Sequence, residues 1–130
     1  MKKIVFTLIW LIAVPFVHAE QDCSKEIMSQ AVDACFVANK DATEIVLNKE
    51  YVAAKKRIAD EYKYHEDSQQ ALLKNLLDTQ RSWLKYRDGQ CKMEASLAEE
   101  TSSVYQGIIS NCVERLDKQR IQQFKEMPYG

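Results

Sequence analysis

Four cysteines, Cys23, Cys35, Cys91 and Cys112, are the residues of this chain with the most chemistry open to them. Thiols at these positions can oxidise in pairs or ligate a metal. A structural zinc site draws its ligands from close-set pairs such as Cys-x-x-Cys, whereas the intervals here hold 11, 55 and 20 residues. No metal is therefore expected, and two disulfides are. Acid–base chemistry finds little footing. Beyond residue 19 the only histidine in the sequence is His65, beside Glu66 and Asp67, and a Ser-His or Cys-His pair would rest on a residue that reads as a solvated helix cap. Glu61 and His65 share a helical face, but a di-iron bundle needs Glu-x-x-His on two separate helices. Glu99-Glu100 reads as surface charge, and there is no glycine-rich phosphate loop. No catalytic residue, no cofactor and no enzymatic activity are expected.

The elements that must position the thiols are helices. Gly89 and Gly107 are the only glycines before the terminal Gly130, the prolines are Pro15 and Pro128, and Ala, Leu, Lys, Glu and Gln are plentiful, so little interrupts a helix. Asp41-x-x-Glu44, Asp67-x-x-Gln70 and Ser103-x-x-Gln106 read as capping boxes that start three long ones. Apolar stripes follow at a 3.6-residue period. They comprise Leu47, Tyr51, Ala54, Ile58 and Tyr62, then Leu72, Leu76, Thr79, Trp83, Tyr86, Met93 and Leu97, then Tyr105, Ile109, Cys112, Leu116 and Phe124. Short connections near residues 65–67 and 99–102 predict antiparallel neighbours. A shorter N-terminal helical segment, with Ile27, Ala31 and Ala34 apolar, is expected to pack across them. The fold class is all-α: an antiparallel bundle of three long helices plus that segment.

Four cysteines allow three pairings, and the hairpin chooses among them. Cys91 and Cys112 are equidistant from a turn centred near residues 101 and 102, which places both about 15 Å from the tip of two antiparallel helices. They are expected to pair, leaving Cys23 with Cys35. One straight helix would hold Cys23 and Cys35 about 18 Å apart, so the chain must turn between them.

Residues 1–19 read as an export signal. Lys2 and Lys3 are followed by an apolar run, Ile4 to Val14, and by Val17-His18-Ala19, a small-x-small cleavage pattern. The run is shorter than the ~20 residues of a spanning helix, and no cysteine follows the expected cut directly. A periplasmic or secreted domain at 20–130, with no membrane attachment after cleavage, is expected. Eighteen basic and 19 acidic residues, less Lys2 and Lys3, leave that domain a net charge of −3. Nucleic acid is disfavoured as a partner, because neutralising phosphates takes a basic face.

The run Gln80-Arg81-Ser82-Trp83-Leu84-Lys85-Tyr86-Arg87-Asp88-Gly89-Gln90-Cys91 carries an unusual polar and aromatic code, and Cys112-x-x-x-Leu116-x-x-x-Arg120 follows it. Together they resemble the signature of a secreted bacterial family, the LprI-like lysozyme inhibitor domain, in which Gln-Arg-x-Trp-x-x-Tyr-Arg-Asp-x-x-Cys precedes Cys-x-x-x-Leu-x-x-x-Arg. The resemblance runs from about Cys23 to Phe124. It implies a protein-binding module that blocks a lysozyme or another peptidoglycan-cleaving enzyme, such as a competitor's toxin. A structural or accessory envelope protein is the alternative.

Gln80, Arg87 and Glu94 recur every seven residues and share one stripe. On the structural reading, Arg87 and Arg120 lie along the Trp83 and Tyr86 rings and pair with a carboxylate such as Asp88 or Glu94. On the recognition reading, Trp83, Tyr86 and Arg87 form a binding patch. Burial of Trp83 favours the first. The candidate partner-binding residues are Glu94, Glu99 and Glu100, clustered at the hairpin tip beside Thr101, Ser102 and Ser103; a second acidic group, Asp60, Glu61, Glu66 and Asp67, surrounds the other turn.

Overall fold

A computed structural model describes residues 20–129; the expected signal peptide lies outside them. A single 3-10 turn, Cys23–Lys25, precedes three helices: α1 (Ser29–Glu61), α2 (Glu66–Glu94) and α3 (Ser103–Lys125). No strand occurs among the described residues. The helices run up, down and up. Gln80 meets Arg120 and Cys91 meets Cys112, so α2 and α3 are antiparallel, while Asp33 lies by Gly107 and Arg57 by Phe124, so α1 and α3 run parallel. The α1–α3 contact is the most extensive of the three.

α1 is longer than its capping box predicts. Asp41 is exposed inside it and pairs with Lys40 at 2.9 Å instead of capping a terminus. With no glycine or proline from residue 29 to residue 61, nothing stops the helix from extending back through Cys35. The chain between Cys23 and Cys35 turns just before it, at residues 26–28, which brings their Cα atoms to 5.7 Å within a disulfide. Ile27 therefore points into solvent rather than across the bundle. The N-terminal segment is held by polar contacts: Asn39, buried on α1, accepts from the Gln21 N–H and donates to the Gln21 carbonyl, both at 2.9 Å.

The other caps shift by one or two residues. His65 is the N-cap of α2 without a side-chain bond, and Asp67 lies in its first turn, where a carboxylate favours the helix dipole. Ser102, not Ser103, caps α3, its hydroxyl accepting from the Tyr105 N–H at 3.1 Å.

Two apolar clusters make the core. One joins Leu47, Ala54, Ile58, Leu76, Ile121 and Phe124; the other joins Cys91, Cys112, Val113 and Leu116. Half-buried Trp83 packs against both. Tyr86, Met93 and Leu97, predicted to line the core face of α2, are exposed, the last two at 65% and 102%; Leu97 lies in the turn beyond the end of α2. The disulfide explains the rotation. Cys91 must face α3, which turns Gln80 and Arg87 inward with it, and at 100° per residue Tyr86 and Met93 then sit roughly 200–220° around the helix from Cys91.

Close approach of α1 and α3 depends on Gly107, which is buried. A Cβ there would collide with the Asp33 carboxylate. Gly107→Ala is expected to lower stability by about 1–2 kcal/mol despite alanine's better helix propensity, since overpacking outweighs it. Urea denaturation checks this, and a stabilised variant would show that the Asp33 side chain yields freely.

Candidate functional site

The signature splits between the interior and the surface. Arg87 and Arg120 enter from α2 and α3, and their guanidinium carbons lie 5.7 and 5.6 Å from the centroid of the Trp83 ring. Arg87 is buried among three carboxylates. Its Nη1 donates to Asp117 at 2.9 Å and to Glu44 at 3.2 Å, and its Nε donates to Asp88 at 2.9 Å. One guanidinium thus ties α2 to both other helices. Burial opposes its charge, yet the hydrogen bonds from Arg87 to Asp117 and Asp88 hold its pKa above the ordinary value. Asp117 is 0% exposed and its Oδ2 has no partner, so burial pushes its carboxyl up, against the pull of Arg87.

Arg120 is held differently. Its Nε donates to Gln80 Oε1 at 3.0 Å and its Nη1 to Gln123 Oε1 at 2.8 Å. Leu116 is buried in the cluster around Cys91 and Cys112, against which Trp83 packs, while Arg81 and Asp88 are exposed. Both guanidinium groups lie against the Trp83 ring, which is half-buried, and Arg87 pairs with Asp88; Arg120 has glutamine partners in place of the expected carboxylate. Two other expected contacts are not made. Tyr86 is turned outward, and Glu94 pairs with Arg115 at 2.8 Å rather than with Arg87. Asp117 and Glu44 were not anticipated as partners. Asp117 precedes Arg120 by three residues and Phe124 by seven, and an acid on a core stripe was the available cue.

The hairpin tip presents a different surface. Residues 95–102 connect α2 to α3, with Cys91–Cys112 below them at a Cα separation of 5.5 Å. The Glu99 carbonyl accepts from the Ser102 N–H at 2.9 Å and the Ser102 hydroxyl at 2.6 Å, and the Glu99 carboxylate accepts from the Thr101 hydroxyl at 3.1 Å. Glu99 and Glu100 are exposed there, with Met93, Leu97 and Val104 as exposed apolar neighbours in sequence. Glu94 at the end of α2 has its pKa lowered by hydrogen bonds from Gln90 and Arg115. The acidic group at residues 60–67 lies at the opposite end of α2, about 43 Å away along its axis. The two acidic groups do not form one site.

Among the described residues no His, Cys, Asp and Glu side chains cluster as a metal site. No described helix is long and apolar enough to cross a membrane. The family model described as lysozyme inhibitor LprI matches residues 21–124. An uncharacterized protein of Rhizobium meliloti (strain 1021) is 30% identical over 111 residues, which cover 83% of this chain and 79% of that one. No solved structure matches.

Proposed function

The chain belongs to the lysozyme inhibitor LprI family, and from that membership we propose that it is an exported module that inhibits a cationic peptidoglycan-cleaving enzyme through the tip of the α2–α3 hairpin. The observation that carries the tip is its combination of exposed Met93, Leu97 and Val104 with exposed Glu99 and Glu100 on a loop stapled by Cys91–Cys112. Apolar side chains supply contact area, acidic ones steer a basic target, and a rigid loop loses little entropy on docking. The inward-turned Arg87 takes no part; Tyr86, outward on α2, extends the apolar stripe toward the middle of the hairpin. Periplasmic or secreted placement follows from the expected signal at residues 1–19 and suits the two disulfides.

The test is inhibition of a basic lysozyme by the parent and by the double variant Glu99→Lys, Glu100→Lys at low and physiological salt. The variant should keep its fold and associate roughly tenfold or more slowly at low salt, with the gap narrowing as salt screens the rim. A folded variant as potent as the parent at both salts removes the tip as the site. A parent that inhibits no muramidase removes the inhibitor reading and leaves the accessory envelope role.

A further inference from the structure

The turn before α1 displays apolar side chains that the fold does not use. Ile27 is 98% exposed and Met28 70% exposed, although the segment that carries them is fixed twice, by the Cys23–Cys35 bridge and by the paired hydrogen bonds between Asn39 and the Gln21 backbone. An exposed isoleucine gains nothing from burial, and ordering a short loop costs conformational entropy. A rigid loop that holds large side chains outward is the pattern of binding loops, which lose little further freedom on docking.

That turn lies at the same end of the bundle as the hairpin tip. Asp33 lies against Gly107, and each stands four residues past the start of its helix, so the parallel helices α1 and α3 begin level with one another. Met28, the N-cap of α1, and Ser102, the N-cap of α3, therefore share one end, where packed helices are roughly 8–10 Å apart axis to axis. Residues 26–28 and 95–102 carry the exposed acids Glu26, Glu99 and Glu100 and no basic residue; Lys25, just before them, is paired with Asp22 at 3.7 Å. Each loop has its own disulfide behind it.

We propose that residues 26–28 are a second arm of the inhibitory surface, Ile27 and Met28 joining Leu97 and Val104 in an apolar contact area, edged by the three acids, that seats on the rim of a cationic peptidoglycan-cleaving enzyme. The second arm deepens the inhibitor reading and rests on it. Charge selects the occupant: a second copy of the chain would bring the same three carboxylates to meet these, whereas a basic rim complements them. Size points the same way. A stable interface draws about 20–30 residues and roughly 800 Å² from each partner, more than the eight residues of the hairpin loop supply.

Egg-white lysozyme, a basic muramidase, is the probe, and its association with and dissociation from the purified protein are followed by surface plasmon resonance. Ile27→Ser with Met28→Ser should raise the dissociation rate about tenfold or more and leave the association rate and its salt dependence near those of the parent, because apolar contacts act after encounter. The Glu99→Lys, Glu100→Lys variant should instead slow association. Serine is a better N-cap than methionine, so the melting temperature of the double serine variant should not fall. Ile45→Ser removes a side chain of the same kind, 72% exposed, from a point on α1 about 24 Å from its start, and should leave both rates alone. Unchanged dissociation of the double serine variant, beside a weakened Glu99→Lys, Glu100→Lys variant, overturns the second arm and leaves the hairpin tip standing. An equal loss from Ile45→Ser overturns it as well. A parent that binds neither egg-white lysozyme nor any other muramidase overturns the arm and the inhibitor reading together.

Discussion

Arg87→Ala is expected to lower the free energy of unfolding by about 3–5 kcal/mol, because it leaves Asp117 buried with its counter-charge gone. Asp117 has no exposed surface, and its Oδ2 is unpartnered even with Arg87 present. The effect should depend on pH in a defined direction. Burial already raises the Asp117 pKa and Arg87 opposes that rise, so the variant should raise it further. A carboxyl whose folded pKa is raised contributes stability below its unfolded pKa and loses it as pH climbs through the folded one. The deficit of Arg87→Ala against the parent should therefore shrink on acidification toward the ordinary carboxylate range and be full at neutral pH. Urea denaturation at several pH values measures both. Arg115→Ala is the control: its partner Glu94 is on the surface and its side chain is 51% exposed, so the loss should stay within about 1 kcal/mol. Equal losses for the two arginines, or a deficit independent of pH, would remove the buried-pair argument.

Replacing Cys91 and Cys112 together by serine is the second large effect, with an expected loss of about 3 kcal/mol and a melting temperature lowered by roughly 10 °C or more. The bridge spans 21 residues and joins two long helices near a cluster that contains little else than Val113 and Leu116. Replacing Cys23 and Cys35 should cost less. Its loop is shorter, at 12 residues, and it ties a 3-10 turn to α1 that Asn39 already holds. Calorimetric melts of both double variants decide the order, and a greater loss from the N-terminal pair would contradict the role given to the hairpin staple.

The helix count and both disulfides were legible because they depend on quantities that sequence carries directly: the scarcity of glycine and proline, and the symmetry of Cys91 and Cys112 about one turn. The rotation of α2 was not. Apolar residues at 86, 93 and 97 form a stripe by period alone, yet Leu97 falls beyond the end of α2 and the buried stripe contains Gln80, Arg87 and Cys91. Burial of a glutamine and an arginine is possible only when α3 supplies Arg120 and Asp117 opposite them, and periodicity within one helix has no information about its neighbour. The start of α1 failed for a related reason. Asp41-x-x-Glu44 satisfies the local rule for a cap, but without a breaker before it the helix continued, and Glu44 was instead drawn to Arg87 at 3.2 Å. At the tip, a one-residue offset of the cap, from Ser103 to Ser102, is the usual latitude of such rules.

Both covalent bridges lie in the same half of the bundle. Cys23 lies with Asn111 and Glu114 along one surface cleft, level with Cys112, whereas the half that contains the α1–α2 turn and the tail from Met127 onward has no cross-link among the described residues. Such a molecule is built like tweezers soldered at one end. Its sub-global openings concentrate at the free end, where amide hydrogens should exchange fastest, while those around Cys91 and Cys112 exchange only on global unfolding. That breathing leaves the stapled end still, so the loop between α2 and α3 keeps its shape while the opposite end fluctuates.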